Sequence, residues 1–187
     1  MRHELQAASD QQFPVVLVYL PFGPLLSPSL GLSMLQASLR TEGIPSQILY
    51  HHLRFARQSG AELYNRLCQG YPELMDLTGD WLFSHALFEQ KPDNAAAYIT
   101  QILRRPRPEP NLTWPDLEGF IAELLMLRMG ASAFVDECVE SILRTGASVV
   151  GFSSVYQQNV AALAVAQRLK RRRPELVARW WSTRDGG

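Results

Sequence analysis

The chain has 187 residues, 47% apolar and 19% charged, a balance that fits one globular domain with a sizeable core and excludes a disordered chain. Eighteen basic side chains offset eighteen acidic ones, so no overall field favours nucleic acid or an acidic membrane surface.

In chain order, "PVVLVYLP" (14–21) is a continuous apolar run rich in β-branched residues and bounded by prolines, the pattern of a strand buried on both faces of a parallel sheet. Glycine and proline mark "FGPLLSPSLG" (22–31) as a loop. Leu32, Leu35 and Leu39 then recur at helical spacing until Gly43, and "PSQILYHH" (45–52) follows as a second strand, completing a right-handed βαβ unit. From about 53 to 130 the stripes are helical, as at Tyr98, Ile99, Ile102 and Leu103 and again at Leu117, Phe120, Ile121, Leu124 and Leu125. "RRPRPEPNLTWPD" (104–116) is a loop, and the whole segment is an expected insertion of about three helices.

The α/β pattern then resumes. Phe134, Val135, Cys138, Val139 and Ile142 share one helix face, Gly146 is placed for a C-terminal cap, and "ASVVGFSS" (147–154) reads as the third strand. Asn159 to Arg172 is the next helix, stopped by Pro174; its basic end, Lys170 to Arg173, suits the negative pole of a helix. Leu176, Val177, Trp180 and Trp181 supply a fourth strand that Arg179 interrupts. The expected fold is therefore an α/β open parallel sheet, flavodoxin- or Rossmann-like, with an all-helical insertion. We place the domain at 13–178, with 179–187 as an aberrant or truncated tail, because a doubly wound sheet ordinarily has more strands.

Cys68 and Cys138 are too far apart for a paired-thiol metal site, and neither belongs to a disulfide framework; Cys138 is expected in the core. The polar start "MRHELQAASDQQ" lacks the apolar region of a signal peptide, and no apolar stretch approaches the ~20 residues of a membrane span, so the expected location is the cytoplasm. His51 and His52 follow the second strand, but adjacent side chains diverge and make a weak metal pair.

Ligands of open α/β sheets sit outside the carboxyl ends of the strands, where the strand order reverses. With the first and third strands as neighbours, the crevice lies between the loop at Pro21, Phe22 and Gly23 and the segment Ser153, Ser154, Val155 and Tyr156, followed by Gln157, Gln158 and Asn159. The groups there are hydroxyls, a phenol, amides and helix N–H donors, which suit a large neutral ligand better than a bare phosphate. The serines and Asn159 would serve equally as helix caps. A dinucleotide fingerprint is missing, no strand ends in a carboxylate, and no nucleophile–histidine signature occurs.

"VVLVYLPFGPLLSPSLGLSMLQASLRTEGIPSQILY" resembles the opening of cobalamin-binding radical S-adenosylmethionine proteins, and "ASVVGFSSVYQQNVAALAVAQRLKRRRPEL" is similar to the branch that matures ribosomally made peptides (RiPP maturation). The resemblance covers roughly residues 13–177. It implies a cobalamin in the crevice, contacted by Pro21, Phe22, Gly23, Ser153, Ser154, Val155 and Tyr156. It further implies a ribosomal peptide as substrate of the whole enzyme, and methyl transfer as the chemistry. The post-strand loop has no histidine, so no protein ligand to cobalt is expected. The CxxxCxxC motif for a 4Fe-4S cluster and S-adenosylmethionine does not occur, which makes this chain an expected domain fragment, inactive alone. The competing expectation is a ligand-free α/β module that binds a peptide or protein partner through its helical insertion.

Overall fold

The computed structural model describes residues 14–70, 73–106, 116–153 and 157–181. Strand β1 (Val15–Tyr19) leads through α1 (Leu30–Thr41) to β2 (Ser46–Tyr50). Four helical segments follow: α2 (His51–Ser59), α3 (Ala61–Gln69), α4 (Thr78–Leu87) and α5 (Ala95–Tyr98), the last running into a π-helical turn at Ile99–Leu103. Helix α6 (Leu117–Arg144), β3 (Val149–Ser153), α7 (Asn159–Arg172) and β4 (Val177–Trp181) complete the order.

All four strands are parallel, in the order β2-β1-β3-β4. Val15 pairs with Ser46 on one side and Val149 on the other, and Val149 pairs with Val177. β1 is central because its side chains are apolar on both faces: Val16, Leu17, Val18 and Leu20 are fully buried. Leu17 and Tyr19 pack with Leu32, Leu35 and Leu39 of α1 on one face. Val16, Val18, Val150 and Phe152 face the larger core built with α2, α3, α4, α6 and α7.

Ser29 caps α1 by accepting from the Leu32 N–H (3.3 Å), and Gly43 ends it with φ +71°. Asp116 caps α6 through the Gly119 N–H (2.9 Å), and Gly146, also at φ +71°, follows its end. The α6 face expected from the sequence is buried throughout: Phe134, Val135, Cys138, Val139 and Ile142. The expected end of the insertion at about 130 is corrected. α6 is one helix of 28 residues that crosses that boundary, because Gly130 stands exposed in its middle and costs the helix only about 1 kcal/mol. The insertion also starts slightly earlier, with α2 at His51.

The fourth strand forms as β4 and includes Arg179, Trp180 and Trp181, so the domain extends past the expected boundary at 178. Arg179 is tolerated because β4 is the sheet edge, while Trp180 stacks on Phe152 of β3 with ring centroids 5.6 Å apart. Residues 182–187 lie outside the described residues. Among the described residues, no helix is long and apolar enough to cross a membrane.

The basic end of α7 is a solvated helix terminus. Arg171 pairs with Glu89, Arg172 with Glu140 and Arg173 with Glu175, and Lys170 donates to the Leu176 carbonyl. One arginine of α7 works differently: Arg168 is buried and donates to Glu89 (2.7 Å), Asp136 (2.6 Å) and the Ser132 carbonyl (2.8 Å), tying α7 to α6.

Candidate functional site

The strand order reverses between β1 and β3, so the carboxyl ends of these two strands flank the topological switch point. Three segments distant in sequence meet there: the end of β1 and its loop (20–23), the segment after β3 (157–158), and residues 64–68 and 79–80 of the insertion.

The loop after β1 is fixed from below. Pro21, Phe22 and Gly23 are buried. The Phe22 ring packs against Phe55 (5.6 Å between centroids), Tyr64 (5.5 Å) and Phe83 (6.3 Å), an aromatic cluster that continues to Phe134. The Gly23 carbonyl accepts from the Tyr64 hydroxyl at 2.7 Å, and the Phe22 carbonyl accepts from the Cys68 thiol at 3.3 Å. Burial raises the pKa of both donors, the Tyr64 phenol and the Cys68 thiol, so each keeps its proton. Glycine is required at 23 because a Cβ there would overlap the Tyr19 ring.

The segment after β3 is tied in the same way. Gln157 is 1% exposed and has φ +63°; its side-chain oxygen accepts from the Gly79 N–H (2.6 Å) and its amide donates to the Leu67 carbonyl (2.9 Å). Gln158, fully buried, donates to the Leu20 carbonyl (3.1 Å), and Ser153 donates to the Gln158 side-chain oxygen (3.4 Å). The N-terminus of α7 receives its side-chain acceptor from another element: Asp80 of α4 accepts from the Val160 N–H at 3.1 Å. Burial raises the Asp80 pKa above the ordinary carboxylate range, and this hydrogen bond works in the opposite direction.

Of the residues expected to line the crevice, the structure brings Pro21, Phe22, Gly23 and Ser153 to the strand ends. Ser154, Val155 and Tyr156 lie outside the described residues. Phe22 points into the core and the Gly23 carbonyl is already bonded, so these two fix the loop rather than present free groups. Gln157 and Gln158, read in the sequence as groups for a ligand, are internal braces. Among the described residues, the carboxyl edge offers outward the segment from Pro24, where Leu26 is 101% exposed and Leu30 74%.

His51 and His52 open α2 and are both buried. His52 lies edge-on to Tyr19, with centroids 4.6 Å apart. Burial pushes both imidazole pKa values down to about 4, so both rings are neutral. Among the described residues, no cluster of three histidine, cysteine or carboxylate side chains could hold a metal ion.

Whether the residues here would suit a cobalamin can be judged on one property, their charge. A corrin is a large neutral disc rimmed with amides, and from Leu20 to Leu30 no side chain ionises. The exposed Leu26 and Leu30 and the proline-rich backbone form an apolar, uncharged edge, with the Ser153 hydroxyl at the end of β3. The same edge is a poor phosphate site. The sequence points to Gln157 and Gln158 but not to their bracing role, and it does not single out Asp80, because the partners of all three are backbone groups of distant segments. No family model matches the chain, and neither a curated protein nor a solved structure matches it at a significant level.

Proposed function

We propose that this chain is a cobalamin-binding domain that seats the corrin on the carboxyl edge of its sheet, in the manner of radical S-adenosylmethionine proteins of the RiPP maturation type. The observation that carries the reading is the strand order β2-β1-β3-β4, with its switch point between the two strands whose trailing loops carry the resemblance. The uncharged edge from Pro24 to Leu30 supports it.

In this reading the residues divide their labour. Phe22, Tyr64, Cys68, Gln157 and Gln158 hold the two post-strand loops at a fixed separation, so that little ordering remains to be done on binding. Leu26, Leu30 and the loop backbone contact the apolar disc and exclude water from it, and the resemblance assigns the amide rim to Ser153, Ser154, Val155 and Tyr156. Cobalamin, when bound, supplies a transferable methyl group. The loop after β1 holds no histidine that would ligate cobalt. A radical domain carrying the iron–sulfur cluster and S-adenosylmethionine, and a ribosomal peptide substrate, belong to the same proposal as partners of this domain.

The test is retention of hydroxocobalamin after desalting, read by its visible absorption. Stoichiometric retention is expected. Leu26→Asp places a charge on the proposed contact edge at a fully exposed position, where stability should change by less than about 0.5 kcal/mol. Retention lost in Leu26→Asp at an unchanged melting temperature supports the site. No retention by the native chain, or full retention by Leu26→Asp, defeats it.

A further inference from the structure

The insertion carries a second feature, independent of the strand ends. Between α2–α3 and the outer side of α6 lie two adjoining cavities of about 390 and 490 Å³, which share Ser59, Leu63 and Glu123. Phe55, Leu63, Leu127 and Phe134 line the first with apolar surface.

Helix α6 has two apolar stripes. One is the core face described above. The other is turned to solvent: Met126 is 75% exposed, Met129 is 81% exposed, and Gly130 and Ala133 continue the stripe at helical spacing. A Cβ built on Gly130 meets nothing within 4 Å, so the groove is open where the backbone of α6 can be approached most closely. Exposed methionines beside an apolar cavity are adaptable contact surface.

The charge on the rim selects the occupant. Glu62 and Glu123 line the groove, and neither has an ion-pair partner among the described residues. A third carboxylate, Glu137, is shared with Arg54 at 2.8 Å. Among the described residues, the one arginine that lines the groove is Arg66, which is bound to Glu73 and lies over the Phe120 ring at 4.1 Å, so its charge is already countered. An acidic rim around an apolar floor with a gap at a glycine is complementary to an amphipathic segment carrying cationic side chains.

We infer that the groove between α2–α3 and α6 docks a cationic amphipathic peptide segment of a partner protein, its apolar side chains over Leu63, Leu127 and Gly130 and its cations against Glu62 and Glu123. The groove shares no lining residue with the strand-end loops, although Phe55 on its floor also touches Phe22. The inference stands whether or not the chain binds cobalamin.

The test uses the full chain and two fluorescent synthetic peptides with leucines at helical spacing, one with lysines and the other with glutamates at the remaining positions. Fluorescence anisotropy should show saturable binding of the lysine peptide and at least tenfold weaker binding of the glutamate peptide. A Cβ at position 130 meets no neighbour, and the longer side chain of Gly130→Leu occupies the gap, so this variant should weaken the lysine peptide roughly tenfold. Gly130→Ala, which improves helix propensity, should bind as the native chain does and shows that the helix tolerates a side chain. Glu62→Lys with Glu123→Lys should reverse the preference toward the glutamate peptide. Absence of saturable binding, equal affinity for both peptides, or unchanged affinity in Gly130→Leu overturns the inference. A native dimer that Gly130→Leu converts to monomer would assign the groove to a second copy and overturn it equally.

Discussion

Replacing Gln157 with alanine removes two buried hydrogen bonds at once. The Gly79 N–H loses its acceptor and the Leu67 carbonyl its donor, in a place where Gln157 itself is only 1% exposed and water does not replace it readily. Each buried backbone group left unpaired costs about 1–3 kcal/mol, so Gln157→Ala should lose about 2–6 kcal/mol. That is a large share of the roughly 5–15 kcal/mol expected for a domain. The backbone adds a control. At φ +63° a non-glycine residue is disfavoured by about 1–2 kcal/mol, and alanine keeps that penalty whereas glycine relieves it. Gln157→Gly loses the same two hydrogen bonds and should therefore be about 1 kcal/mol more stable than Gln157→Ala. Urea unfolding of the three proteins, followed by tryptophan fluorescence, measures both differences. A loss below about 0.5 kcal/mol in Gln157→Ala would show that the brace is not structural, and Gly no better than Ala would refute the left-handed backbone.

Gly79→Ala would place a Cβ 2.5 Å from the Phe22 ring and 2.9 Å from the Gln157 side-chain oxygen, so thermal unfolding should show a loss of about 1–3 kcal/mol even though alanine suits a helix better. His51 and His52 predict a pH dependence. Their folded pKa values, near 4, lie below the ordinary 6.5, so between these values the unfolded chain binds more protons than the folded one. Stability should fall as the pH drops from about 6.5 toward 4, by at most about 3 kcal/mol per histidine, and melting temperatures across that range should flatten in a His51→Gln, His52→Gln variant.

The parts of the fold that were legible are those whose signal is local. β1 and β3 announce themselves as β-branched runs because a central parallel strand must be apolar on both faces, and Gly43 and Gly146 mark helix ends because the backbone there turns left-handed. Helix α6 spans two stretches of the sequence pattern, the stripe at 117–125 and the face at 134–142, because a helix of 28 residues absorbs the one glycine between them, Gly130. The candidate site was legible in its location and not in its wiring. Proline, glycine and serine mark both post-strand loops, yet the bonds that fix them run from Gln157 and Gln158 to backbone carbonyls that carry no side-chain signature. The acidic groove was invisible for a related reason: Met126, Met129 and Gly130 form a pattern only once the other face of α6 is known to be occupied by the core.

The bracing of the strand ends bears on the order in which the molecule is built. The Gln157–Leu67 bond spans 90 residues and the Gln158–Leu20 bond 138, while α1, α2 and α3 are made from contacts within their own short segments. Closures of that length come late, because the chain entropy they remove is recovered only when both ends are already in place. A chain growing from its N-terminus can complete β1 against β2 early, but Leu20 waits for its partner until residue 158 has been added. The carboxyl edge should thus acquire its shape late during synthesis, and be among the first regions to lose it when the sheet breathes.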